Sequence, residues 1–260
     1  MAKTKPKLVQ NIFEARYERG YRYLDRCGDA MVILEEALPE ITAHSIWMPE
    51  EMRPQGARMK CPDMDLTLVF DAYRLCLDQN PSDVDCSFAD ISKYSFDTVI
   101  SKFDIRKTTR LGNRRRYILP TDSIEAAEAL SVERAPLHNW PPVSSDEMAP
   151  KSCDITSVLE NKDRSKGLRF SISPTFKVEA PLALDPRLTM SPHLLEKGQR
   201  EALIGQLKRQ KQREKDPLAG LTIDIDHWWL NPEKTDIGEF LDVSKIQIED
   251  VLHSFLEKHV

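Results

Sequence analysis

The sequence predicts an α+β protein in which antiparallel sheets carry packed helices. Three observations point there: short alternating or β-branched runs that read as strands, longer runs with apolar residues three or four apart that read as helices, and a match between two helical segments suggesting that a strand-loop-helix unit occurs twice. At 260 residues, with 40% hydrophobic and 30% charged residues, the chain has the balance of a globular protein able to bury a sizeable core.

Leu24, Cys27, Met31, Leu34 and Leu38 fall at helical spacing over Tyr21 to Leu38, and Pro39 is expected to end that helix. A loop rich in Pro, Met and Gly follows. Gly56 to Gln79 then carries Leu66-Thr-Leu-Val-Phe70 and Tyr73-Arg-Leu-Cys-Leu77 around a turn-like Cys61-Pro-Asp-Met-Asp65, which predicts two or three antiparallel strands. From Phe88 to Phe103 the apolar positions share one side of a helical wheel, with Ser82 or Ser87 as candidate caps. Over Ile105 to Leu119, Gly112-Asn113 between Arg-rich arms reads as a hairpin closed by a primed turn, and Ser123 is the N-cap of a short helix to Leu130.

Pro136, Pro141, Pro142 and Pro150 disfavour regular structure, so the chain is divided into an α+β half at 1–134, a linker at 135–152 and a second α+β half at 153–260. The second half is expected to open with a hairpin of Cys153 to Leu159 and Gly167 to Val178 around a charged turn. Ser191-Pro192 starts a helix reaching about Lys215, whose last two turns lack an apolar face. Leu221 to Leu230 is an alternating strand, and a final helix runs from about Ile237 to Lys258.

Aligned without a gap, Phe88–Phe103 and Phe240–Phe255 share six of sixteen residues: Phe88/Phe240, Asp90/Asp242, Ser92/Ser244, Lys93/Lys245, Val99/Val251 and Phe103/Phe255. Each segment follows a strand that begins Leu-Thr, Leu66-Thr67 and Leu221-Thr222. This order favours an internal duplication, although amphipathic helices share composition for ordinary reasons.

The closing residues Leu221-Thr-Ile-Asp-Ile-Asp-His-Trp-Trp, with Leu252-His253-Ser-Phe255 after them, resemble the C-terminal end of a sporadically distributed, uncharacterised family of bacterial proteins. The resemblance covers about the last forty residues. It implies a bacterial accessory protein and transfers no activity.

Several classes are disfavoured. No apolar run approaches the roughly 20 residues of a spanning helix, and Glu14, Arg16, Glu18, Arg19 and Arg22 stand where a signal peptide needs an apolar core, so a cytoplasmic location without membrane contact is expected. The five cysteines are scattered and read as reduced thiols; Cys27 and Cys86 are conceivable nucleophiles without a defined partner. Gly-x-Ser-x-Gly, Walker and dinucleotide motifs are missing, and nine glycines are few for a phosphate-cradling fold. No catalytic residue and no cofactor are expected.

Three groups remain as candidate sites. Asp224 and Asp226 lie two apart on a strand and could share a cation with His227, but a solvated strand face is the favoured reading of those carboxylates. Arg106, Lys107, Arg110, Arg114, Arg115 and Arg116 would line a basic ribbon able to meet a phosphate backbone or a partner. Lys208, Arg209, Lys211, Arg213 and Lys215 would make a basic helix end, which also suits the helix dipole. The leading expectation is a non-enzymatic protein-binding or assembly protein, self-association included; a nucleic-acid-associated protein is the alternative, and a metal-dependent enzyme the third reading.

Overall fold

A computed structural model describes residues 5–81, 88–134, 151–176, 197–213, 219–232 and 236–257. The strands and helices are β1 (Lys7–Tyr17), α1 (Tyr23–Ile41), β2 (Met48–Arg53), β3 (Gly56–Cys61), β4 (Leu66–Phe70), β5 (Arg74–Gln79), α2 (Phe88–Phe103), β6 (Thr108–Pro120), α3 (Ile124–Arg134), β7 (Ile155–Glu160), β8 (Lys166–Phe176), α4 (Lys197–Arg213), β9 (Ala219–Leu230) and α5 (Ile237–Glu257), with a 3-10 turn at Pro62–Met64. The nine strands form one antiparallel sheet in the order β2-β3-β4-β5-β1-β6-β9-β8-β7. The class is α+β, as the sequence predicts.

Strand alternation divides the sheet into two chemically distinct faces. Phe13, Ala15 and Tyr17 of β1, Leu111, Tyr117 and Leu119 of β6, and Leu221, Ile223 and Ile225 of β9 are buried beneath helices. One apolar cluster joins β1 and β3–β5 to α1, α2 and the start of α5 through Phe13, Leu34, Phe70, Phe103 and Phe240; a second lies under the later turns of α5, with Ile248 against Ile223, Ile225 and Leu168. Edge-on packing of Tyr23 on Phe103 joins α1 to α2 and that of Trp229 on Phe240 joins β9 to α5, with ring centroids 5.4 and 5.3 Å apart.

β1 and β6 lie side by side in the middle and pair antiparallel from Lys7↔Ile118 to Tyr17↔Thr108. Each begins a run of strand, helix, further strands, a strand returning beside the first, and a closing helix, with α4 inserted before the returning strand in the second run only. β5 thus returns to β1 before α2, and β9 returns to β6 before α5. β6 and α3 therefore sit with the strands of 153–260, since β6 pairs with β9 and α3 packs on β8 and β9. Residues 135–150, most of the Pro-rich segment, lie outside the described residues.

Several local expectations are corrected. Ile105 to Leu119 is no hairpin: it lies largely within one 13-residue strand, β6, with Gly112 and Asn113 buried at mid-strand. Two neighbouring strands saturate both sides of β6, and that pairing overrides the local turn preference. β1 and β2 were not expected as strands; Pro49 and its bulge hide the second. Pro39 lies inside the last turn of α1, where Thr42 donates its backbone N–H to Leu38, and Leu24 is exposed while Tyr23 takes the buried position. The predicted N-cap at Ser123 accepts from the Ala126 N–H at 3.1 Å. α2 matches its predicted bounds, and β7–β8 form the predicted hairpin. The caps at Ser82, Ser87 and Ser191 lie outside the described residues. The Leu-Thr strands are not topological counterparts: Leu66 begins β4, whereas β9 occupies the position equivalent to β5.

Candidate functional site

The face of the central strands that carries no helix among the described residues, called the helix-free face below, gathers most of the charged residues singled out above. Even-numbered residues of β6 point there, so Arg110, Arg114 and Arg116 form a file beside Gln10, Glu14 and Arg16 of β1 on one flank and Asp224 and Asp226 of β9 on the other. Arg110 bridges the flanks, donating to Glu14 at 2.8 Å and to Asp226 at 3.0 Å. Arg114 grips Asp224 with two guanidinium nitrogens, its Nε at 2.7 Å from Oδ1. Arg116 donates to Asp224 at 3.2 Å and to the Gln10 side-chain oxygen at 2.8 Å, while Gln10 in turn donates to Asp78 of β5 at 3.0 Å. Across β1, β6 and β9 the arginines lie between carboxylates, the neutral Gln10 extends the grid to Asp78 of β5, and each of these carboxylates takes charge-assisted bonds.

This grid corrects the picture of Asp224 and Asp226 as a solvated strand face. Asp224 is largely buried, and the combined pull of Arg114 and Arg116 outweighs its desolvation and holds its carboxyl below the ordinary range. Asp226 shifts the other way, because desolvation exceeds the attraction of Arg110, Arg169 and Arg114. His227 does not join them. Alternation turns it to the helix face, where it stacks on Phe240 with centroids 5.7 Å apart; burial, with the charge of Lys166, lowers its pKa to about 4. The three candidate metal ligands are thus split between opposite faces of the sheet. Among the described residues no group of three or more His, Cys, Asp or Glu is placed to hold a metal ion.

The remaining basic residues disperse. Arg115 points to the helix face and pairs with Glu249 of α5 at 3.4 Å. Arg106 and Lys107 are exposed just before β6. On α4, Lys208 and Lys211 are exposed, whereas Arg209 turns inward to the Pro62 carbonyl and Gln206 bonds Asp65 at 2.9 Å, so part of the predicted basic end anchors the helix to the 3-10 turn. The side chain of Arg213 and all of Lys215 lie outside the described residues. Burial raises the Cys27 thiol, which disfavours a nucleophilic thiolate; Cys86 lies outside the described residues.

The two ends of the sheet differ. β2 has Pro49, a bulge between Pro49 and Glu51, and ion pairs from Glu50 to Arg58 and from Glu51 to Arg53. Proline, bulges and charges are the ordinary protections of a sheet edge. β7, Ile155-Thr-Ser-Val-Leu-Glu160, has none of them before its last residue. Its inner side pairs with β8, no strand among the described residues pairs with its outer side, and Val158 and Leu159 are 55% and 61% exposed. The sequence offered a signal for this edge: a six-residue run without proline or lysine.

Among the described residues, no helix is long and apolar enough to cross a membrane. No family model matches the chain, and no curated protein matches it.

Proposed function

We propose that this is a non-enzymatic protein-binding or assembly protein that receives an extended segment of a partner along β7. The observation that carries the reading is the outer edge of β7, with which no strand among the described residues pairs and on which Val158 and Leu159 are exposed, at the far end of a sheet whose other edge is blunted. An added strand would satisfy the outward N–H and C=O groups and cover both side chains, the usual basis of recognition by strand addition. The corresponding order of elements about β1 and β6, together with the buried Ser92 and Ser244 at matched positions of α2 and α5, supports an internal duplication that built the wide sheet.

The nucleic-acid alternative has less support. Arg110, Arg114 and Arg116 are already engaged by Glu14, Asp224 and Asp226, which leaves Arg106, Lys107, Lys208 and Lys211 as its exposed cations among the described residues. The test compares proteins retained from host extract by the wild type and by Thr156→Pro, which removes an outward-facing backbone donor from the edge while leaving the β7–β8 bonds of residues 155, 157 and 159 in place. Loss of the same specific partner from the variant, with the fold intact by circular dichroism, is the expected result. Equal retention by both overturns the reading.

A further inference from the structure

We infer that the occupant of the β7 edge is a second copy of this chain, paired antiparallel about a two-fold axis through Val158. The inference rests on reading β7 as the docking edge. When two copies continue one sheet across such an axis, each residue faces a residue of the same sheet face, so the registers available shift in steps of two and are centred on a residue. Centring on Ser157 sets Asp154 opposite Glu160 at both ends, and like charges directly opposite are unfavourable.

Centring on Val158 removes that conflict. Val158 then meets its own copy on the helix-free face, and Leu159, which points to the helix face because it pairs with buried Leu168, lies diagonal to Leu159 of the second copy. The two most exposed apolar residues of the strand converge on the axis. Glu160 faces Thr156, and Asp154 approaches Lys162, an opposite charge just beyond the strand. Centring on Leu159 also gathers the apolar pair and avoids opposed carboxylates, but it sets the Glu160 carboxylate directly against Val158, whereas centring on Val158 sets it against the polar Thr156. The dimer would carry one sheet of eighteen strands, nine from each copy. A six-residue edge is short, so the association is reversible rather than obligate.

Cysteine crosslinking reads the register directly. In an antiparallel sheet, facing residues have Cα atoms about 4.5–5.5 Å apart, inside the range a disulfide spans. Val158→Cys is expected to form a disulfide-linked dimer under mild oxidation, with the peptide pair bridged through the two introduced thiols identified by mass spectrometry so that native cysteines are not mistaken for them. Ser157→Cys is expected to crosslink at least tenfold less. Sedimentation of the wild type is expected to show monomer giving way to dimer over about 1–100 μM, with Val158→Lys remaining monomeric at an unchanged circular dichroism spectrum. Crosslinking through Ser157→Cys instead, or a wild type monomeric at every concentration, overturns the inference. A monomer that still loses its extract partner on Thr156→Pro overturns self-pairing while leaving the broader reading of the edge in place. A monomer with no edge-dependent partner removes both.

Discussion

Lowering the pH is expected to destabilise this protein through one buried histidine before its carboxylate grid begins to fail. His227 is 5% exposed, stacks on Phe240, and has an Nδ1 without a hydrogen-bond partner in the fold. Burial first, and the positive charge of Lys166 second, lower its pKa from 6.5 to about 4. Because the folded state resists a proton that the unfolded chain accepts, the stabilisation is complete above pH 6.5, declines as pH falls towards 4, and levels off below that. The gap, at about 1.4 kcal/mol for each tenfold change, amounts to about 3 kcal/mol in full and roughly 1.4 kcal/mol at pH 5.5. Urea unfolding of the wild type and of His227→Phe, at intervals from about pH 7.5 to 4.5, isolates the contribution, since other titrating groups are shared. The phenyl ring preserves an aromatic partner for Phe240. A stability difference between the two proteins that stays flat over this range, or a folded-state His227 that titrates near 6.5 by NMR, refutes the reasoning.

Removing the guanidinium in Arg114→Met leaves Asp224 with Arg116 and is expected to cost about 1–3 kcal/mol by urea unfolding; adding Asp224→Leu to that variant should restore much of the loss, because a charge left behind costs more than a pair removed together. Gly220→Ala would bring a methyl group to 2.7 Å from the Ile118 Cγ2 and 2.8 Å from the Leu119 carbonyl oxygen, a backbone atom that cannot swing aside, so a loss of about 1–3 kcal/mol is expected by thermal or urea unfolding. Ser244→Ala is expected to be neutral or stabilising, since its buried hydroxyl has no partner, whereas Ser92→Ala should cost about 1 kcal/mol through loss of its 2.8 Å bond to the Phe88 carbonyl; the two melting curves decide.

The elements legible in the sequence were those whose packing is one-sided. α2 presents Ile91, Phe96, Val99 and Phe103 to a single core, and β9 alternates Leu221, Ile223 and Ile225 with polar residues, so period and burial agree. β1 was hidden because its inward set includes Asn11 and its outward set includes Glu14 and Arg16, with Glu14 finding its partner on a strand distant in sequence. In β6 the local signal pointed the wrong way. Gly112, a turn residue by preference, instead makes room for the Arg110 guanidinium, whose Nη1 would lie 2.6 Å from an added Cβ.

The candidate site was legible in its parts and not in its pairings. Arg110, Arg114, Arg116, Asp224 and Asp226 all stand out as charged residues at strand spacing, but only strand order brings them together. The position of β7 at the end of the sheet is likewise a property of topology. Its six-residue sequence carried the absence of edge protection, without the information that it was an edge.

Amide hydrogen exchange along Ile155–Glu160 tests the central claim most directly. In a free edge strand, alternate amides that do not bond β8 exchange rapidly, and an added strand protects those amides selectively. The account predicts that they slow as protein concentration rises, while the Val158→Lys variant exchanges rapidly throughout. Rapid exchange of the same amides at every concentration, with or without proteins retained from host extract, would contradict it.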